Sequence, residues 1–157
     1  MIDTSKLVWQ DLSLIKTAPK NVQRWLDDKT SLTAKLKQQF KDFSVNVLSQ
    51  QQAQPHIHET DLIGVNAQCV IREVALLGNH KTVVFARSVI PLTSDTEEIL
   101  SIGSKPLGEV LFNDDRIQRN MMQITQSDHL WGRRSVFTIG TTNLLVSEFF
   151  MEDLYVS

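Results

Sequence analysis

The sequence predicts an α+β fold: a single antiparallel β-sheet of about six strands flanked by helices, in one domain over residues 1–157. Three features predict it. The stretch "FSVNVLS" alternates apolar Phe43, Val45 and Val47 with polar Ser44 and Asn46, the period-two pattern of a half-buried strand. Two apolar runs, roughly Gln68 to Leu77 and Thr82 to Ile90, are joined only by "GNHK", a link that suits an antiparallel hairpin and no parallel crossover. Near the N-terminus the apolar positions instead recur three and four apart, the helical spacing.

Taken in order, Pro19 suits a first helical turn, and "PKNVQRWLDD" then sets Val22, Trp25 and Leu26 on one helical face. A turn around Lys29 to Ser31 leads to a second helix, "TSLTAKLKQQF", with Leu32, Leu36 and Phe40 four apart and Thr30 or Ser31 as its cap. The strand from Phe43 follows. The polar run "SQQQAQPHIHETD" reads as a strand end and then a loop. After the hairpin, "SDTEEILSIGS" suggests a helix closed by Gly103, and "KPLGEVLF" a short helical piece opened by a proline. "RIQRNMMQITQS" is read as a strand, and "RRSVFTI" and "NLLVSEFFM" as two more joined through "GTT".

Composition narrows the function classes. Sixteen basic residues against 18 acidic ones give a formal net charge of -2, no electrostatic footprint for nucleic acid or an anionic membrane. Cys69 is the single cysteine, so no internal disulfide forms, which fits a reducing compartment. "MIDTSKLVWQDL" has no basic region followed by an apolar run, and no apolar stretch reaches the roughly 20 residues of a membrane span. The expectation is a soluble, cytoplasmic protein, a monomer, whose anionic ligands are held by a few local groups.

The candidate groups sit inside the hairpin. Alternation puts Arg72 with Val70, Val74 and Leu76, and Arg87 with Val83, Phe85 and Val89. A turn centred between Asn79 and His80 sets Arg72 directly opposite Arg87 on one apolar face; an odd loop count would put them on opposite faces. Two opposed guanidiniums repel, and burying each costs on the order of several kcal/mol unless it is paired. The compensating charge is either a protein carboxylate or a ligand carrying carboxylates, which arginine holds bidentately. Glu148, on a stripe with Leu144, Val146 and Phe150, is a candidate partner. If it neutralises one arginine, a positive charge remains for a small anion with an acidic end and a hydroxyl end.

Several stretches together resemble the chorismate pyruvate-lyase (chorismate lyase) family: "WLDDKTSLTAKLKQQF", "IREVALL", "ARSVIP", "KPLGEVLF", "LWGRRSVF" and "LLVSEFF", in the family's order over most of Trp25 to Phe150. The resemblance implies an antiparallel sheet with a buried site under two helical flaps. It implies cleavage of chorismate to 4-hydroxybenzoate and pyruvate, the step that opens ubiquinone synthesis, with no metal or organic cofactor. On that resemblance Arg72 holds the ring carboxylate, helped by the backbone amides of Leu32 and Leu107, one on each flap. Glu148 meets the ring hydroxyl, and Arg87 anchors the enolpyruvyl carboxylate; Arg87 and Glu148 are then the catalytic pair. Leu32 stands where a methionine is common in the family. The segment 49–66 matches poorly and the first twenty residues loosely.

Other signals have plainer readings. "HIHE", His56 to Glu59, is expected to be a solvated loop and not a metal site. His80 and His129 fall in turns, and Cys69 reads as core. Arg133 and Arg134 should point to opposite faces of a strand, at least one in an ion pair, with Trp131 and Gly132 forming a packed turn before it. The rival function is a non-catalytic small-molecule sensor of the same fold; a third is a structural protein whose arginines are only ion-paired.

Overall fold

In the computed structural model, which describes residues 2–28, 30–103, 105, 107–127 and 130–155, an α+β architecture is built on one open antiparallel sheet. Its strands are β1 (Gln10–Asp11), β2 (Phe43–Ala53), β3 (Cys69–Gly78), β4 (Lys81–Pro91), β5 (Ile117–Ser127), β6 (Leu130–Ile139) and β7 (Thr142–Phe150). They lie in the order β1-β5-β6-β7-β4-β3-β2. Seven strands replace the expected six because β1, two residues long, pairs with the edge of β5, where no alternation announces it.

The helices are α1 (Lys20–Leu26), α2 (Leu32–Gln39), α3 (Ile57–Ile63), α4 (Glu97–Leu100), α5 (Leu107–Phe112) and α6 (Glu152–Tyr155), with a 3-10 helix over Leu12–Thr17. Pro19 stands one residue before α1 as its N-cap, and Ser31 caps α2 by accepting a hydrogen bond from the Ala34 amide at 3.2 Å. The expected turn at Lys29, the proline opening α5 (Pro106) and His129 lie outside the described residues. Two expectations fail here. The segment after β2 is not all loop, because α3 follows it, its start fixed by the His56 amide donating to Glu59 Oε1 at 2.9 Å. Trp131 and Gly132 are not a turn but part of β6, where a Cβ on Gly132 would lie 2.7 Å from Phe149 Cδ1; only glycine lets that ring close on the sheet.

The hairpin decides which residues share a face. Asn79 and His80 form its two-residue turn, both at positive φ (51° and 71°), as a twisted hairpin requires. Beside the turn Gly78 faces Lys81 and Leu77 faces Thr82, the expected register. A bulge then inserts Val83, and beyond it Leu76 faces Val84, Glu73 faces Arg87 and Arg72 faces Ser88. The expected opposition of Arg72 and Arg87 is therefore wrong: one extra residue flips the rest of β4, and the two arginines point to opposite sides of the sheet.

On the near face, α1, α2 and α5 cover the sheet. One apolar cluster joins Trp25, Leu32 and Leu36 to Val74, Leu76, Trp131 and Phe150. A second joins Leu107 and Leu111 to Val70, Ile90, Phe137, Leu144 and Val146. On the far face α3 covers a third, smaller cluster with Ile71, Val89 and Leu145. Leu36 is fully buried, and truncating such a leucine to alanine costs about 2–5 kcal/mol. Apolar burial thus fastens α2 to one end of the near face and α5 to the other.

Candidate active site

Between the two near-face clusters runs a polar band. Its place follows from register: Arg72 (β3), Ser88 (β4), Val146 (β7) and Ser135 (β6) make one row across the sheet, and Val74, Ala86, Glu148 and Arg133 the next. Small side chains, Ser88, Val146 and Ala86, lie between Arg72 at one end of the band and the Glu148–Arg133 pair toward the other. Gly108 of α5 lies against Thr33 of α2, and an exposed ion pair, Lys37 to Glu109 at 3.0 Å, ties the two helices on the outside.

Arg72 is 3% exposed. Its Nη1 donates to Gln50 Oε1 at 2.9 Å and its Nη2 to the Lys105 carbonyl at 3.1 Å, both neutral acceptors. Among the described residues no carboxylate pairs with it, and burial pulls its pKa down because nothing offsets the desolvation. A buried guanidinium without a counter-charge is costly for the fold alone and suited to an incoming carboxylate.

Glu148, 8% exposed, shares this face, as expected, but its partner is Arg133. Arg133 Nε donates to Glu148 Oε1 at 2.9 Å. Its Nη1 donates to the carbonyls of Trp25 (3.0 Å), Leu26 (3.4 Å) and Asp28 (2.5 Å), groups at the C-terminal end of α1 that lack intrahelical donors. Arg133 is 0% exposed and so fixes the glutamate and the flap-bearing segment together. Arg134, one residue on, points to the far face, as alternation predicts. There it donates to Gln123 and His58 and stacks 4.5 Å from Trp9.

Arg87 does not join the site. It lies on the far face, where Nε and Nη2 donate to the two oxygens of Glu59, each at 2.9 Å, and Nη1 reaches Glu73 at 3.4 Å. Burial pulls its pKa down, but the bonds and charge of Glu59, with Glu73 behind, outweigh that and raise it. Glu59 is raised by burial and more than compensated by Arg87, so its carboxyl is held below the ordinary value. The anchor role expected for Arg87 is withdrawn: it is turned away and already neutralised. The "HIHE" segment that supplies its partner is not solvated, since Glu59 is 1% exposed.

Leu32 and Leu107 are the first residues of α2 and α5. Their buried side chains belong to the two different apolar clusters, and as first helical residues their amides have no intrahelical acceptor. Unpartnered buried polar atoms concentrate on this side of the sheet: Trp25 Nε1, Arg133 Nη2, Ser135 Oγ, and Nε and Nη1 of Arg119, a residue the sequence reading missed; Trp9 Nε1, on the far face, is the other. Each orphaned donor or acceptor costs about 1–3 kcal/mol, so a polar guest that met the near-face ones would be stabilised there. No group of three or more His, Cys, Asp or Glu among the described residues is placed to hold a metal ion.

A family model described as "Chorismate lyase" matches residues 3–157. This chain belongs to the chorismate lyase family. Among its relatives, a protein of Thiobacillus denitrificans is 35% identical over 160 residues, covering 87% of this chain and 86% of that one. One of Pseudoalteromonas translucida is 33% identical over 168 residues, covering 94% and 93%. One of an Azoarcus species is 35% identical over 163 residues, covering 87% and 86%. All three bear the name "Probable chorismate pyruvate-lyase". The near-face band is the natural candidate for a chorismate lyase family site, and no helix among the described residues is long and apolar enough to cross a membrane.

Proposed function

We propose that the protein is a chorismate pyruvate-lyase that eliminates pyruvate from chorismate to give 4-hydroxybenzoate, the first committed step toward ubiquinone, using no metal or organic cofactor. The observation that carries this reading is Arg72: a buried cation, bonded only to neutral acceptors, in a band of orphaned donors on a face covered by two short helices. In the proposed pose the ring carboxylate lies on Arg72, and the amides of Leu32 and Leu107 close over it from the two flaps. The hydroxyl-bearing side of the ring faces Glu148, which Arg133 holds in place. The small residues of the two rows, Ser88, Ala86, Val146 and Ser135, form the floor on which a six-membered ring lies flat.

The chemistry asks little of a nucleophile. As the ether C–O bond breaks, its electron pair leaves with the enolpyruvyl oxygen. The ring carbon bearing the hydroxyl gives up its hydrogen as a proton, the ring becomes aromatic, and the released enolate takes up a proton to become pyruvate. The protein holds one conformer, keeps water out and sets fixed charge beside the breaking bond. Glu148 is placed to orient the hydroxyl-bearing carbon or to relay its proton.

Incubating the purified protein with chorismate and following 4-hydroxybenzoate by absorbance, and pyruvate by a coupled assay, tests the proposal. Stoichiometric formation of both products is expected. Chorismate binding without product would leave a sensor in place of an enzyme, and no binding would leave only a structural role for the arginines.

A further inference from the structure

Chorismate carries two carboxylates, and with Arg87 on the other side of the sheet the pose above accounts for one. We propose that Arg119 is a substrate-binding residue that anchors the second carboxylate, the one on the departing enolpyruvyl group. This inference rests on reading the site as a chorismate site.

Arg119 reaches the near face through an irregularity. In β5 a bulge at Asn120 lets Arg119 oppose Phe137 while Met122 opposes Ser135 and Ile124 opposes Arg133. Phe137, Ser135 and Arg133 are all near-face residues of β6, so Arg119 shares their side. Bulges that re-aim one side chain recur beside active sites. The guanidinium carbon packs 5.3 Å and 5.2 Å from the ring centroids of Phe112 on α5 and Phe137. Its Nε and Nη1 are buried and have no hydrogen-bond partner among the described residues.

Ring packing does not complete this residue. Cation–π contacts stabilise a guanidinium by about 0.5–2 kcal/mol, but they leave the N–H donors unbonded, at about 1–3 kcal/mol each. Those donors suit the two oxygens of a carboxylate. Burial first, and the like charge of Arg133 second, push its pKa down to about 10, so it is still a cation at neutral pH. The charge balance of the band agrees: Arg72, Arg119 and Arg133 against Glu148 leave two positive charges for a dianion. Arg119 and Arg72 flank the small residues of the band from β5 and β3, four strand spacings apart, roughly 19 Å between backbones. Arg119 also lines a surface cleft of about 410 Å³ with Phe112 and Met122, a path for the smaller product.

The test compares Arg119→Gln and Arg119→Lys with the wild type by kcat/KM on chorismate, by calorimetric Kd for 4-hydroxybenzoate, which lacks the second acid, and by melting temperature. Arg119→Gln is expected to lose at least about 100-fold in kcat/KM, to bind 4-hydroxybenzoate within about twofold of the wild type, and to melt no lower, since a half-buried cation with two unpartnered N–H groups is removed. Arg119→Lys keeps the charge without the fork and should recover part of the rate. A folded Arg119→Gln protein with near-normal kcat/KM, or with both ligands weakened equally, overturns the inference. Should Arg119→Gln fail to fold, the lysine variant decides: a reduced rate with unchanged product affinity supports the anchor, and an unchanged rate overturns it. A wild type that turns over chorismate while the variants match it removes only Arg119. A wild type that makes no product removes the parent reading as well.

Discussion

Arg72 and Arg87 are both buried cations, yet their removal should have opposite consequences. Arg72 has no carboxylate partner among the described residues, so Arg72→Gln is expected to lower kcat/KM at least about 100-fold while leaving the melting temperature unchanged or raised. Arg87→Ala strands Glu59 as a lone buried carboxylate, which costs about 3–5 kcal/mol and, in a chain of this size, roughly 10 °C of melting temperature. Any rate lost in that variant should track the folded fraction. Thermal melts and steady-state kinetics on the two proteins check both claims; an Arg87→Ala protein that folds normally but is inactive would return Arg87 to the chemistry. Arg72 and Glu148 were legible in the sequence as buried charges sharing one face, because each interrupts an apolar run; Arg87 carries the same signal, so it does not separate a ligand group from an ion pair. Arg119 was not, because Ile117, Met121, Met122 and Ile124 follow no period-two pattern along its strand and its facing depends on a bulge that alternation does not reveal.

At the scale of elements, α2 and α5 are held at opposite ends of the near face by separate apolar clusters and meet only over the polar band. On the proposed reading of the site, a substrate enters by parting them. The exposed pair Lys37–Glu109 contributes at most about 1 kcal/mol to keeping them shut, as surface pairs do. A covalent tie would contribute much more. A Cβ at position 108 would lie 3.6 Å from Thr33 Oγ1, in van der Waals contact, so cysteines at the two positions would face each other across the helices. The double variant Thr33→Cys, Gly108→Cys should therefore lose at least about tenfold in turnover on oxidation and regain it with a reductant. Full activity with the crosslink verified by mass would show that the flaps need not part there. Cys69, buried in the far-face cluster, offers no competing partner. The helices themselves were readable from spacing and caps. The short α3 was not, because its one inward carboxylate looks, in sequence, like part of a solvated acidic run.

Across the whole molecule, the near face holds Arg72 without a carboxylate while the far face holds the Arg87–Glu59 pair, and that pair, with His56, sets the response to pH. Glu59 is held below its ordinary pKa of 4.5, so its contribution is present above that value and is lost as pH falls toward its folded pKa. His56 is held below its ordinary 6.5, by burial first, so below pH 6.5 the unfolded chain takes up a proton that the folded one resists, and stability falls. Both effects act in the same direction. The melting temperature should be level between pH 7 and 8, decline from about pH 6.5 and drop more steeply below about 4.5; a flat profile down to pH 4 would contradict the far-face ion pair. Fold class and family were legible at this scale. The side of the sheet on which each charge stands was not, since it depends on counting through irregular ladders.

That counting has a consequence for Val83, the surplus residue of the hairpin. Parity along a strand is a running tally, and one deletion between turn and Arg87 would invert everything downstream in β4: Ala86 and Ser88 would leave the near face, Phe85 and Arg87 would take their places, and Glu59 would face a methyl group. Length variation at the turn itself is harmless to this arrangement if it comes in pairs. A change of one residue a few positions later exchanges what β4 shows to the proposed site for what it shows to the Arg87–Glu59 side, with every remaining side chain's identity unchanged.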